Sequence, residues 1–160
     1  MAKYSRDLKE ELVQKVQEVS REFGLREQGI RVEAVRVDKC KTYGQVLKSN
    51  EIVKLFTGED NVIAVALYEE VFDQLNEQAQ TILIHNLLEQ VFVNQKEDGT
   101  ITIKIEKPQL NLGLRTFNKF GNVATQMLEA VILTIDQVEE EKKAEKEAQK
   151  QSKKKKKGVF

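Results

Sequence analysis

From Ser5 to Phe23, the apolar residues Leu8, Leu12, Val16, Val19 and Phe23 recur at steps of three or four. That period predicts an amphipathic helix, with Ser5 placed to cap its start and Gly24 to stop it. Residues Ile30 to Cys40 change to a period of two. Ile30 and Val32 fall on one face, and Val35 and Val37 continue on the opposite parity after Ala34. A strand with a bulge or bend near Ala34 accounts for the switch. Tyr43 to Phe56 asks for burial at Val46, Ile52, Val53, Leu55 and Phe56 but is interrupted by Gly44 and Ser49-Asn50. A short strand and a short helix both fit it, followed by a turn over Thr57 to Asn61; a flap fits as well. Val62 to Leu67 is an unbroken apolar run of strand length, and Tyr68 to Leu75 reads as a short helical passage.

Asn76 is positioned to cap a helix from Glu77 to about Val93. On a helical wheel Leu83, Ile84, Leu87, Leu88 and Val91 form an apolar stripe, and Gln78, Thr81, His85 and Glu89 cluster on the other side, where a solvated polar face is expected. Asp98-Gly99 marks a turn, and Ile101, Ile103 and Ile105 alternate with Thr102, Lys104 and Glu106 as a half-buried strand does, ended by Pro108. A last helix begins near Gly121 or Asn122. Its buried stripe is Ala124, Met127, Leu128, Val131, Ile135 and Val138, and it stops at Glu139. The elements add up to an α+β domain: a short mixed sheet, an N-terminal helix, the His85 helix and a long C-terminal helix. Residues 1–138 form the domain and 139–160 a charged helical extension that frays into a disordered lysine-rich tail.

Composition narrows the function. The chain has 160 residues, enough for one ordinary core, and 40% of them are apolar and 32% charged, which is globular rather than disordered. Cys40 is the single cysteine, so no internal disulfide and no multi-cysteine metal site can form. No apolar stretch has the length of a membrane span or a signal core. The 26 basic and 26 acidic residues cancel, but Lys153 to Lys157 supply five of the positive charges; without them the balance is 21 against 26, or −5. An acidic body with a basic tail leaves Lys153, Lys154, Lys155, Lys156 and Lys157 as the candidate contacts to nucleic acid or an acidic partner. The serines lack a nucleophile-elbow context, the glycines form no phosphate loop, and Cys40 with His85 is the remaining nucleophile–base pairing to consider.

The stretch Ile84-His85-Asn86-Leu87-Leu88-Glu89-Gln90 resembles the metal helix of zincin metallopeptidases, His-Glu-x-x-His. The layout from Val32 to Gly121 is similar to a family of phage and bacterial metallopeptidases, through the Val62–Leu67 strand, the Tyr68–Leu75 passage, Asn76-Glu77-Gln78-Ala79-Gln80, Asp98-Gly99, Lys107-Pro108-Gln109-Leu110 and Asn118-Lys119-Phe120-Gly121. The resemblance implies a small zincin-like fold in which His85 stands at the first zinc-ligand position, Asn86 at the general-base position and Glu89 at the second ligand position. The downstream ligand falls near Lys107 to Gln109, where no residue is a good zinc ligand. Asn86 has no basic oxygen to take a proton from metal-bound water. A degenerate metallopeptidase is therefore expected: a pseudoenzyme of phage or prophage origin, with no cofactor, acting in the host cytoplasm or the virion as a structural or binding module that meets a protein partner or itself. Two alternatives stand beside it: a zinc-dependent hydrolase using His85 and Glu89, and a nucleic-acid-binding accessory protein acting through Lys153–Lys157.

Overall fold

In the computed structural model the described residues are 3–48, 61–106 and 112–157. The protein is an α+β domain built on a four-stranded mixed sheet. Strand β1 (Tyr4–Ser5) leads to helix α1 (Glu10–Glu22), then to β2 (Arg31–Val37), β3 (Gly44–Lys48) and β4 (Val62–Tyr68). The order across the sheet is β1-β2-β4-β3. β2 and β4 run parallel at its centre, with β1 antiparallel to β2 and β3 antiparallel to β4. All seven residues of β4 are buried, because a strand covered on both faces has no polar side to show.

The same burial explains β2. Its pairing with β4 runs one to one from Arg31 opposite Val62 to Val37 opposite Tyr68, so the bulge expected near Ala34 is absent from this ladder. Val32 and Ala34 are buried on one parity and Val35 and Val37 on the other. Apolar residues on both parities are the mark of a two-sided strand, and they mimic a register shift when read as a one-sided one.

Helix α1 buries Leu12, Val16 and Val19, with Leu8 just ahead of it. It starts five residues later than Ser5, which pairs with Arg36 in the sheet instead of capping. Glu69 accepts the backbone N–H of Lys9 there, at 3.1 Å. Gly24 ends the helix in the left-handed region, at φ 63°. Within the ambiguous stretch after Tyr43 the structure shows the edge strand β3; residues 49–60 are outside the described set.

After β4 come the short helix α2 (Glu69–Phe72) and helix α3 (Glu77–Leu88), capped by the Asn76 side chain, which accepts from Ala79 N at 2.8 Å. α3 ends at Leu88, short of the expected Val93. The chain then forms a hairpin of β5 (Val91–Gln95) and β6 (Ile101–Ile105), turned by Asp98, which accepts from Thr100 N at 2.9 Å, and by Gly99 at φ 84°. Val91, Phe92 and Val93 favour a pleated strand over a helix, and that preference prevails once a partner strand is available. A helix that the periodicity did not indicate, α4 (Leu114–Phe120), precedes the long helix α5 (Asn122–Lys157). α5 buries Ala124, Leu128, Val131 and Val138 and continues as helix to Lys157, through the segment expected to fray. Among the described residues no helix is long and apolar enough to cross a membrane.

The tightest point of the sheet is Gly44 on β3. A Cβ placed there would lie 2.5 Å from the carbonyl oxygen of Ala66 on β4. Gly44→Ala is expected to push the edge strand off β4 and to cost about 1–3 kcal/mol, measured as a lower urea midpoint with an unchanged slope.

Candidate functional site

The chemistry-bearing side chains of α3 lie under α4. Every residue of α3 from Ile82 to Leu88 is buried, His85 at 4% exposure and Asn86 at 0%. Of the polar side expected to meet solvent, Gln78 is exposed and Thr81 half-buried, but its C-terminal end at His85 and Glu89 is covered by α4, and what Glu89 meets there is polar backbone. A helix start leaves N–H groups without partners, and Gly113, the residue capping α4, has no side chain with which to supply one. α3 supplies them instead. The Glu89 carboxylate accepts Arg115 N at 2.6 Å through Oε1 and Thr116 N at 2.9 Å through Oε2. Asn86 Oδ1 accepts Gly113 N at 2.7 Å. Glu89, the residue that ends α3, thus caps the first turn of α4, and Asn86 of α3 holds the capping residue Gly113, with a carboxylate at the end where the helix carries partial positive charge.

A side-chain chain completes the contact. The Thr116 hydroxyl donates to Glu89 Oε2 at 2.6 Å, so its oxygen is left to accept from His85 Nδ1, 2.8 Å away. His85 therefore carries its proton on Nδ1. Its ring packs between Phe23 of the α1 end, with centroids 4.7 Å apart, and Phe120 of α4, edge-on at 5.4 Å. Burial, the neighbouring Lys119 and, more weakly, Arg115 hold its pKa below the usual histidine value, against the opposing pull of Glu22 and Glu89. Asn86 Nδ2 donates to Tyr43 OH at 2.7 Å, and burial pushes that phenol up to about 12. The network joins the start of β3, α3 and α4.

His85, Asn86 and Glu89 are brought together as their spacing requires, but around Thr116 and a helix start. As these side chains are held, they make a poor zinc set: both Glu89 oxygens accept hydrogen bonds from α4, the Nδ1 proton leaves Nε2 as the ligand atom of His85, and among the described residues no three His, Cys, Asp or Glu side chains converge. The positions near Lys107 to Gln109 lie outside the described residues. In the His85–Thr116–Glu89 chain the hydroxyl proton points to the Glu89 carboxylate and the hydroxyl oxygen accepts from His85, so the imidazole does not act as base to this hydroxyl. Cys40 lies against Thr42, 3.6 Å from its hydroxyl, so the cysteine–histidine pairing is not formed. Lys153 and Lys154 are exposed near the far end of α5, and Lys155 to Lys157 continue that helix. Gly113, Thr116, Tyr43 and Phe23 are the members that the motif alone could not supply. The one hint was the glycine pair Gly113 and Gly121 bracketing a seven-residue helix.

A Cβ at position 113 would fall on the Glu89 carboxyl group. Gly113→Ala is expected to displace α4, and Glu89→Gln, which removes the charge and turns an amide N–H₂ toward an N–H donor, to cost about 2 kcal/mol; urea denaturation of both variants checks this. Acid has a signed effect. Because the folded His85 pKa lies below its ordinary 6.5, the unfolded chain binds the proton more readily. Stability is thus fully present above 6.5 and falls as pH drops below it toward the depressed folded value. Urea midpoints at a series of pH values should show this loss in the wild type and less of it in His85→Gln. Neither a family model nor a curated protein nor a solved structure matches the chain, so the roles given to these residues rest on their contacts.

Proposed function

We propose that the chain is a non-catalytic binding or structural module, a metallopeptidase-like domain of phage or prophage origin that serves in a virion or its assembly. One observation carries the non-catalytic part: the side chains at the three metallopeptidase-like positions of α3 are occupied in holding α4. Glu89 is a cap, Asn86 is a neutral bridge between Tyr43 and Gly113, and His85 is a buried donor to Thr116. Opening these groups to a substrate or a dication would remove the partners of two backbone N–H groups in α4 and of that of its capping residue Gly113, which costs about 1–3 kcal/mol for each group left buried and unpaired. A binding role fits the surfaces left over. Ile132 and Leu133 are exposed at 52% and 70% on the outer side of α5, and the helix extends beyond its last buried residue, Val138, to Lys157. The origin and the virion setting follow the sequence resemblance.

The test is metal content and peptidase activity together. Protein purified without chelator is expected to take up no stoichiometric zinc and to hydrolyse no casein, and His85→Ala should change neither. Zinc bound one to one, lost in His85→Ala along with hydrolysis, would overturn the proposal.

A further inference from the structure

Helix α5 leaves the body at Lys142, whose Nζ donates to Tyr68 OH at 2.7 Å and to the carbonyl of Asp38 at 2.8 Å. Val138, one turn earlier, is the last buried apolar residue of the helix. From Lys143 to Lys154 every residue is exposed, and the backbone stays helical to Lys157. Helical continuity decides where the charges go. At 100° per residue, Lys143, Lys146, Lys150, Lys153 and Lys154 fall within one arc of about 100°, at steps of about 4.5, 6 and 4.5 Å along the axis up to the adjacent pair Lys153-Lys154. None of the five forms an ion pair with another described residue. From Lys143 to Lys157 there are eight lysines against Glu145 and Glu147. Glu145 lies on the opposite side of the helix, and Glu147 at the stripe's edge.

We infer that this arm binds the phosphate backbone of double-stranded nucleic acid, without reading its sequence. The stripe is a straight row of point charges at a spacing of the order of that between backbone phosphates. Other occupants suit it less. Among residues 139–157 the apolar side chains are Ala144 and Ala148, so the arm has no apolar face to sink into a bilayer. It has no aromatic residue on which a single-stranded base could stack. All its cations are lysines, point charges that bind phosphate without a fixed geometry of approach, which suits contact that does not read sequence. The acidic body, −5 without the terminal lysine run, repels the duplex and leaves the arm as the point of contact.

This inference rests on the reading of the chain as a binding module, and the two fail separately: zinc-dependent hydrolysis sinks the module, and missing duplex binding sinks the arm alone. The experiment is binding of the full chain to a short fluorescent DNA duplex across about 50–200 mM salt. The five lysines together should contribute a slope of about −4.5 in log affinity against log salt, a loss of about 500-fold over that range. The triple substitution Lys150→Ala, Lys153→Ala, Lys154→Ala should flatten the slope by about 2.7. Ala148→Pro keeps every charge but breaks the helix, taking Lys143 and Lys146 out of line, and should flatten it by about 1.8. Neither variant touches the body, so an unchanged urea midpoint certifies its fold. No binding to the duplex, an unchanged slope in the triple variant, an unchanged slope in Ala148→Pro, or binding to phosphatidylserine vesicles in place of the duplex each overturns the inference.

Discussion

The Glu89 carboxylate at the start of α4 is the contact on which the second half of the chain depends. A seven-residue helix does not persist alone in water, since its few internal bonds do not offset the cost of nucleation. α4 exists because α3 supplies what its first turn lacks. Once α4 is fixed, Thr116 is placed between His85 and Glu89, Phe120 closes over the His85 ring, and Gly121, at φ 66°, turns the chain into α5. The direction in which the lysine arm leaves the body is thus set by a polar contact more than twenty residues upstream of it. Lys142, bound to Tyr68 and Asp38, then fixes the same helix at a second point.

Asn86 shows why the chemistry of this helix takes the form it does. The side chain is fully buried and must both accept from Gly113 N and donate to Tyr43 OH. An amide does both without charge. A glutamate in its place would bring a carboxylate into a fully buried position and could not donate to Tyr43, and burying a charge there is costly or forces the acid to stay protonated. The neutral amide at this position is what lets the start of β3, α3 and the residue ahead of α4 meet in the interior.

The legible parts of the fold are those where one element alone decides its own burial. The stripe of α1, the unbroken β4 and the stripe of α5 up to Val138 are written in local periodicity, and Asn76 announces the start of α3. Misread elements are those settled by a partner. β2 looks bulged because both its faces are covered, and Val91 continues the helical stripe of α3 until β6 offers a ladder. The polar face of α3 is the sharpest case. Periodicity separates polar from apolar residues but does not distinguish a polar face wetted by water from one satisfied by another helix. Glu89 could be paired with Arg115 and Thr116 only once α4 was in view, and α4 carries too little apolar pattern to be seen: Leu114 and Phe117 point outward, at 73% and 41% exposure.

A histidine and a carboxylate one helical turn apart are commonly a request for positive charge or for a proton, and more than one thing can answer it. A dication does so by coordination. Here the partial positive charge and free N–H groups of a helix start answer Glu89, and a threonine hydroxyl accepts the proton of His85 while giving its own to Glu89. The two solutions demand different surroundings. Coordination needs converging donors and an open position for substrate, whereas capping needs a glycine without a Cβ at the point of approach and apolar rings to exclude water. Gly113, Phe23 and Phe120 provide the second set. What the spacing alone leaves open is decided by these residues, none of which lies on the helix that carries the motif.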